Sequence, residues 1–238
     1  MAVEPVRLNK YIAECGVCSR READRLIEQG AVYVNGTVAG MGVKVLPGDT
    51  VTVNGKELKG KDDKVVLAYY KPVGVTCTEK DKHAEKTVTE GLNYPVRVTY
   101  AGRLDKESEG LLLMTNDGDL INSLMRGKHG HEKEYLVQVT KPLPEDFKDR
   151  MEEGIFLREL NQRTRPCKVY IEDQYTFRII LTQGLNRQIR RMCEALGLKV
   201  NGLMRTRIAN IELGKLKPGT YRRLTAEELE ELYDIIGR

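Results

Sequence analysis

An arginine and an aspartate stand two residues apart in Gly102-Arg103-Leu104-Asp105, just ahead of the apolar run Leu111 to Met114. The run reads as a buried strand, so the loop before it is held on a rigid element. A carboxylate in such a loop can be a nucleophile, an acid or base, a ligand, or one half of an ion pair. Spacing alone does not choose among these, and most aspartates are structural. A second concentration of chemistry lies from Gln183 to Arg207. There Arg187, Arg190, Arg191, Lys199, Arg205 and Arg207 are balanced by Glu194 alone. A strip of that density is a reasonable footprint for nucleic-acid phosphates, and Tyr221-Arg222-Arg223 adds to it. A third lies near the start of the chain, where Arg20, Arg21 and Arg25 cluster at a helix start. Guanidinium groups there can take phosphates in two-pronged contacts, or can form a solvated face with i, i+4 ion pairs.

Metal chemistry has little support. Cys15 and Cys18 make a lone Cys-x-x-Cys with no second pair at zinc-ribbon spacing. His129 and His131 lie in the basic loop Arg126-Gly-Lys-His-Gly-His131 without convergent ligands, and His83 falls in a polar stretch expected at the surface. RNA phosphate or solvent contact is the expectation for the loop histidines.

The whole chain bounds these readings. It has 238 residues, enough for a small domain plus a medium one, and a net charge of +4 from 39 Lys and Arg against 35 Asp and Glu. So mild an excess means that any nucleic-acid surface comes from local clustering. There is no long apolar run and no signal pattern, which points to the cytoplasm. Five cysteines, an odd number, are expected to stay reduced.

The elements that must position these groups follow from periodicity. Leu8, Tyr11 and Ile12 suit one helix face. Ser19 to Glu22 has the spacing of a capping box before Ala23, Leu26 and Ile27, and Gly30 is placed to end that helix. Ala31 to Val34 and Val43 to Val53 read as strands around Asn35-Gly36 and Pro47-Gly48-Asp49 turns. This helix, helix, strand, strand unit is expected to span residues 1–60, with a linker at Lys61 to Lys64 and a larger domain over 61–238. There, Val65 to Val75 reads as a strand entering a Lys71-Pro72 turn, and Leu120, Ile121, Leu124 and Met125 as a helix face. Tyr135, Val137 and Val139 share one face of a strand, on which Tyr135 by itself reads as a half-buried aromatic. Pro144 to Glu153 reads as a helix, and Cys167 to Ile171 and Phe177 to Leu181 as paired strands. Asn186 can cap a helix carrying Ile189, Met192, Cys193 and Leu196, closed by Gly197. Thr225 to Glu228 opens a last helix with Leu229, Leu232, Ile235 and Ile236.

Two resemblances rest on these blocks. Arg7-Leu-Asn-Lys-Tyr-Ile12, Ser19-Arg-Arg-Glu-Ala23 and Gly30-Ala-Val-Tyr-Val-Asn-Gly36 resemble, in order and spacing, an S4 domain, a small RNA-binding module. Lys71-Pro-Val-Gly74, Gly102-Arg-Leu-Asp-Lys-Glu-Ser-Glu-Gly-Leu111, Glu132-Lys-Glu-Tyr-Leu-Val137 and Gly184-Leu-Asn-Arg-Gln-Ile-Arg-Arg-Met192 resemble the RsuA/RluB/RluE/RluF family of pseudouridine synthases. Within it, the versions at 12–24 and 184–194 are most like the RluF branch. The sequence ends soon after its last expected helix, without the longer tail of some relatives.

The resemblance implies an α+β fold, a mixed and mostly antiparallel sheet with helices on one face behind the S4 domain. It implies an enzyme that detaches uracil from ribose C1′, turns it and rejoins it through C5, with no metal and no cofactor. By position in the blocks, Asp105 is the catalytic carboxylate, Arg190 its basic partner, and Tyr135 the aromatic that stacks on the target base. Arg103 helps flip the nucleotide. Arg20, Arg21, Arg25, Arg187 and Arg191 are implied RNA contacts, and Lys71 is either an RNA contact or a structural support at its strand end. An anion in a desolvated pocket needs an adjacent cation to stay charged, which gives Arg190 a physical reason. The implied partner is 23S ribosomal RNA, with a tRNA as second candidate and small-subunit 16S ribosomal RNA as runner-up. A monomer is expected. Two other readings remain, a non-catalytic S4-type RNA binder and a hydrolase using an Asp nucleophile. The first has no need of Asp105, Tyr135 and Arg190 together. The second wants another acid/base carboxylate or a metal cluster.

Overall fold

The computed structural model describes residues 4–78, 87–125 and 130–237. His83 and His129 lie outside them. The chain divides into two compact units. The first takes in Met1–Lys64, Tyr94–Arg97 and Asn116–Gly118, the second Val65–Asn93, Val98–Thr115 and Asp119–Arg238.

In the first unit, α1 (Leu8–Glu14) buries Leu8 and Ile12. The second helix, α2 (Arg20–Glu28), opens where the Ser19 hydroxyl accepts the Glu22 amide at 3.2 Å, and it buries Ala23 and Ile27. These faces pack on β1 (Val32–Val34) and β2 (Val51–Val53), the central pair of a four-stranded antiparallel sheet. Arg20, Arg21 and Arg25 point away from this core and are exposed. Arg25 pairs with Glu22 at 3.2 Å.

The second unit begins with β3 (Val66–Lys71), α3 (Val88–Leu92), β4 (Thr99–Ala101) and β5 (Glu109–Thr115). Then come α4 (Gly118–Met125), β6 (Lys133–Val139), α5 (Phe147–Glu153), β7 (Lys168–Asp173) and β8 (Thr176–Leu181). It ends with α6 (Gln188–Ala195), β9 (Val200–Ile208), β10 (Tyr221–Arg223) and α7 (Ala226–Ile235). The strands form one sheet in the order β7-β8-β6-β9-β5-β3-β10, with β4 paired on β5. Every pairing along that path is antiparallel except β9 with β5. The fold is thus α+β with a mixed, mostly antiparallel sheet.

The parallel join is short. It pairs only Met204 with Glu109 and Arg205 with Gly110. On one side of it lies a core around Val137, Phe177, Ile179 and Met192, on the other a core around Leu111, Leu113, Leu120 and Leu232. Asp105 sits in the loop between β4 and β5, at the mouth of this join.

Some boundaries differ from the expectations. The helix expected from Pro144 starts at Phe147, because Pro144 sits in a preceding turn whose carbonyl accepts the Phe147 amide at 3.0 Å. Asn186 does not cap α6. The capping position is Arg187, in the left-handed region at φ 50°, while the Asn186 side chain accepts from Arg191 at 3.3 Å. In α7, Ile235 is exposed and Leu232 and Ile236 carry the packing.

Gly110 is the position that lets the two halves join. Its φ is +103°, and a Cβ there would lie 2.7 Å from the backbone nitrogen of Arg205 and closer still to its carbonyl oxygen. Gly110→Ala is expected to cost about 3 kcal/mol through backbone strain and overpacking. Urea unfolding monitored by circular dichroism measures it, and a change below about 0.5 kcal/mol, the size of a neutral surface substitution, would contradict the role.

Candidate active site

The Asp105 loop is held by its own backbone. Asp105 O accepts the Ser108 amide at 3.0 Å, closing a turn, and Lys106 O accepts the Gly74 amide at 2.8 Å. Lys71, at the end of β3, is fully buried and donates from Nζ to Ser108 O at 2.6 Å and to Pro72 O at 2.8 Å. Arg190, on α6, donates from Nη2 to Glu107 O at 3.1 Å and to Ser108 Oγ at 3.2 Å. Two cations from different elements therefore hold consecutive carbonyls of one loop. Carbonyl oxygens turned inward need donors, and charged donors make stronger bonds than neutral ones.

Of the two readings of Lys71, the geometry fits the strand-end structural role, because its ammonium is engaged inside by two carbonyls. Burial pushes that ammonium down to about 8, while Cys77, Glu109 and Asp105 pull it back up.

The carboxylate of Asp105 is one-third exposed. Its ion-pair neighbour is Arg187, with Nη1 at 3.8 Å from Oδ2. Arg187 also donates to Glu107 at 3.0 Å, and together with Arg190 it holds the Glu107 carboxyl below its ordinary range. Arg190 thus reaches the Asp105 loop through its backbone, and the contact expected between Arg190 and the Asp105 carboxylate is made by Arg187. The left-handed backbone of Arg187 bends the entry to α6 and turns its guanidinium toward the loop.

Asp105 opens onto a cleft of about 950 Å³. Arg103, Tyr135, Arg187, Lys133, His131 and Arg205 line it too. Tyr135 stands on β6 directly across from Arg205 on β9, so the short sheet junction forms the floor. Arg103 is exposed at the rim. His131 is buried in the lining, not out in solvent.

The basic strip of 183–207 does not survive as one surface. Arg205 is only 2 % exposed. Arg207 pairs with Glu132 at 2.9 Å and with Glu134 at 3.7 Å. Arg191 pairs with Glu159, and Arg222 makes a two-pronged pair with Glu228 at 2.6 and 2.7 Å. The sequence shows the charges, but their partners come from strands and helices remote in the chain. Sequence reasoning also missed Ser108 and the interior placement of Arg205. Strand alternation on β9 could have flagged Arg205, since its position shares the inward face with Leu203. Cys193 is buried as expected, and burial pushes its thiol up to about 12. All five cysteines are free.

Comparison with known proteins fits this architecture. The family model described as RNA pseudouridylate synthase matches residues 65–195, and the S4 domain model matches residues 6–51. The chain is 50 % identical over 233 residues to the "Dual-specificity RNA pseudouridine synthase RluF" of Escherichia coli (strain K12), covering 97 % of this chain and 79 % of that protein. It is 40 % identical to the "Ribosomal large subunit pseudouridine synthase B" of Bacillus subtilis (strain 168), covering 95 % of each. A solved structure titled "Crystal structure of pseudouridylate synthase" matches with TM-score 0.70 and 34 % identity, over 95 % of this chain and 99 % of that one.

The buried Lys71 gives a measurable signature. Its folded pKa lies near 8 against an ordinary value of 10.5. The unfolded chain therefore keeps this proton to higher pH than the folded one, and the residue's contribution to stability rises between about pH 8 and 10.5. Titration of the Lys71 side chain by NMR is expected to give a midpoint near 8, and the rise should vanish in Lys71→Met. A midpoint above 10 would contradict the burial argument. Lys71→Met should also cost about 2 kcal/mol by stranding the Ser108 and Pro72 carbonyls.

Proposed function

The chain belongs to the RNA pseudouridylate synthase family, and we propose that it isomerises a specific uridine of 23S ribosomal RNA to pseudouridine through Asp105, with a tRNA as second substrate. The observation that carries the assignment of roles is the loop clamp. A carboxylate is fixed at the mouth of a cleft by cations on both sides, with an aromatic ring in the same cleft. The enzyme class is an isomerase. The RNA follows from the likeness to a relative named for dual specificity and to one named for the large ribosomal subunit.

In this reading the target nucleotide leaves its stack and enters the cleft. Tyr135 replaces the lost stacking and later takes the C5 proton. Arg103, exposed at the rim, occupies the place that the nucleotide vacates or binds its phosphate. Asp105 acts as an anion, whether it attacks ribose C1′, attacks base C6 or removes a sugar proton. Arg187 stands beside it in an ion pair, and Arg190 fixes the loop through its backbone. No step calls on a metal or an organic cofactor. The S4 unit adds affinity by raising the local concentration of the catalytic unit on RNA, through Arg20, Arg21 and Arg25.

The domain boundary near residue 60 belongs to the same proposal, as does a monomeric state. No helix of the described residues is long and apolar enough to cross a membrane. A cytoplasmic location follows from the ribosomal substrate.

Asp105→Asn is expected to lower single-turnover conversion of a large-subunit RNA fragment by more than about 1,000-fold while leaving RNA affinity within about 3-fold. Loss of binding equal to the loss of activity would remove Asp105 from the chemistry. Replacing Arg20, Arg21 and Arg25 together by Ala should instead weaken binding and flatten its salt dependence, by up to about 0.9 in slope for each phosphate that is no longer neutralised. An unchanged slope would take the S4 arginines out of the interface.

A further inference from the structure

The floor of the cleft carries a cationic pair that the roles above leave unused. Arg205 lies on β9 between Tyr135 on one side and Gly110 on the other. Its side chain lines the cleft although it is almost wholly buried. Nε donates to Leu111 O at 2.7 Å. Nη2 is buried and has no hydrogen-bond partner among the described residues. Lys133 stands two residues before Tyr135, on the same face of β6, and lines the same cleft. It makes a long bond of 3.5 Å to His131 O. Burial, and then the charge of Arg205, lower the Lys133 ammonium from its ordinary value.

A buried guanidinium nitrogen without an acceptor is costly, and a second cation lining the same cleft adds to the cost. Such an arrangement is stable when an acceptor or an anion completes it. The acceptor must fit beside the ring of Tyr135, at the bottom of a cleft whose mouth holds Asp105. A uracil ring stacked on Tyr135 presents two carbonyl oxygens, O2 and O4, at its edge.

We infer that Arg205 and Lys133 are catalytic residues that grip the edge of the flipped uracil and hold the negative charge it acquires during isomerisation. The inference rests on the reading of this cleft as the uridine site. When the C1′–N1 bond breaks, its electron pair stays on the base and spreads over N1, O2 and O4. If Asp105 instead adds first to C6, the displaced pair moves to O4. Every route loads a carbonyl oxygen of the ring with charge before C1′ bonds to C5. Any bond to Asp105 then breaks to return its carboxylate, the C5 proton passes to Tyr135 or water, and N1 takes a proton from water, leaving the base neutral. Donors already fixed and desolvated at those oxygens stabilise the charge without reorganising. A pair of donors at O4 also disfavours cytosine, which carries an amino donor there.

The test compares uridine with 5-fluorouridine at the target position. Fluorine at C5 stabilises the ring anion by itself, so the base depends less on the protein for that charge. Arg205→Lys and Lys133→Met are made in the full chain, and folding is checked by thermal melting. The readout is single-turnover loss of the N-glycosidic nucleoside, by nuclease digestion and mass spectrometry. Each variant is expected to lose about 100-fold on uridine but less than about 10-fold on 5-fluorouridine, with RNA affinity within about 3-fold. Equal losses on both substrates, or a loss confined to RNA affinity, would overturn the inference. If Arg205→Lys does not fold, Lys133→Met decides alone, since that side chain caps no buried carbonyl at short range. Asp105→Asn run beside them separates the two readings. If it stays active, the cleft assignment fails. If it is dead while the floor variants lose equally on both substrates, only the inference fails.

Discussion

The bonds from Lys71 and Arg190 to the carbonyls of residues 107 and 108 are the constraint on which the site depends. They decide where Asp105 points. A loop between two strands is free to move unless its polar backbone atoms are engaged, and here the donors are two cations, Lys71 fully buried and Arg190 partly so. Desolvating an ammonium is costly, which is why Lys71 is held near 8, but the alternative is two inward carbonyls without partners. Arg190 closes the same loop from α6, 83 positions away in sequence from Glu107. The carboxylate is thereby tied to three elements, β3, β5 and α6, before any RNA arrives. Preorganisation of this kind lets an enzyme meet its transition state without rearranging at that moment.

The sheet serves the same end. Its two halves meet through two parallel pairs at Gly110 and Arg205, a junction so close that only glycine fits on one side. The cleft opens at that junction. Tyr135, Arg205 and the Asp105 loop come together there because β6, β9 and β5 are neighbours, though they are far apart along the chain. Charge is distributed accordingly. Cations at the floor and behind the loop face the Asp105 carboxylate at the mouth, while most of the remaining arginines of the region are neutralised by Glu132, Glu134, Glu159 and Glu228.

Much of this was legible in the sequence, for reasons that can be named. Periodicity gave the helices through Leu8 and Ile12, Ala23 and Ile27, and Ile189 and Met192, because amphipathic faces must be buried. The run Leu111 to Met114 gave the central strand. Motif order gave the α+β fold and its family. What escaped was pairing between remote residues. Lys71 looked as much like an RNA contact as a strand-end support, since nothing in its neighbourhood reveals the carbonyl of Ser108. Arg207 and Arg222 looked like part of a phosphate surface, since Glu132 and Glu228 reach them only through the fold. Asn186 looked like a helix cap, because a left-handed arginine is rare enough that sequence reasoning passes over it.

If Asp105, fixed in this clamp, converts a uridine of large-subunit ribosomal RNA, its product is a mark that can be read directly. Pseudouridine mapping of total RNA at single-nucleotide resolution, in cells with and without the protein, tests this most directly. A large-subunit site is expected to disappear without the protein and to return with the wild-type chain but not with Asp105→Asn. Profiles that do not differ at any ribosomal or transfer RNA position, or a site restored by Asp105→Asn, would contradict it.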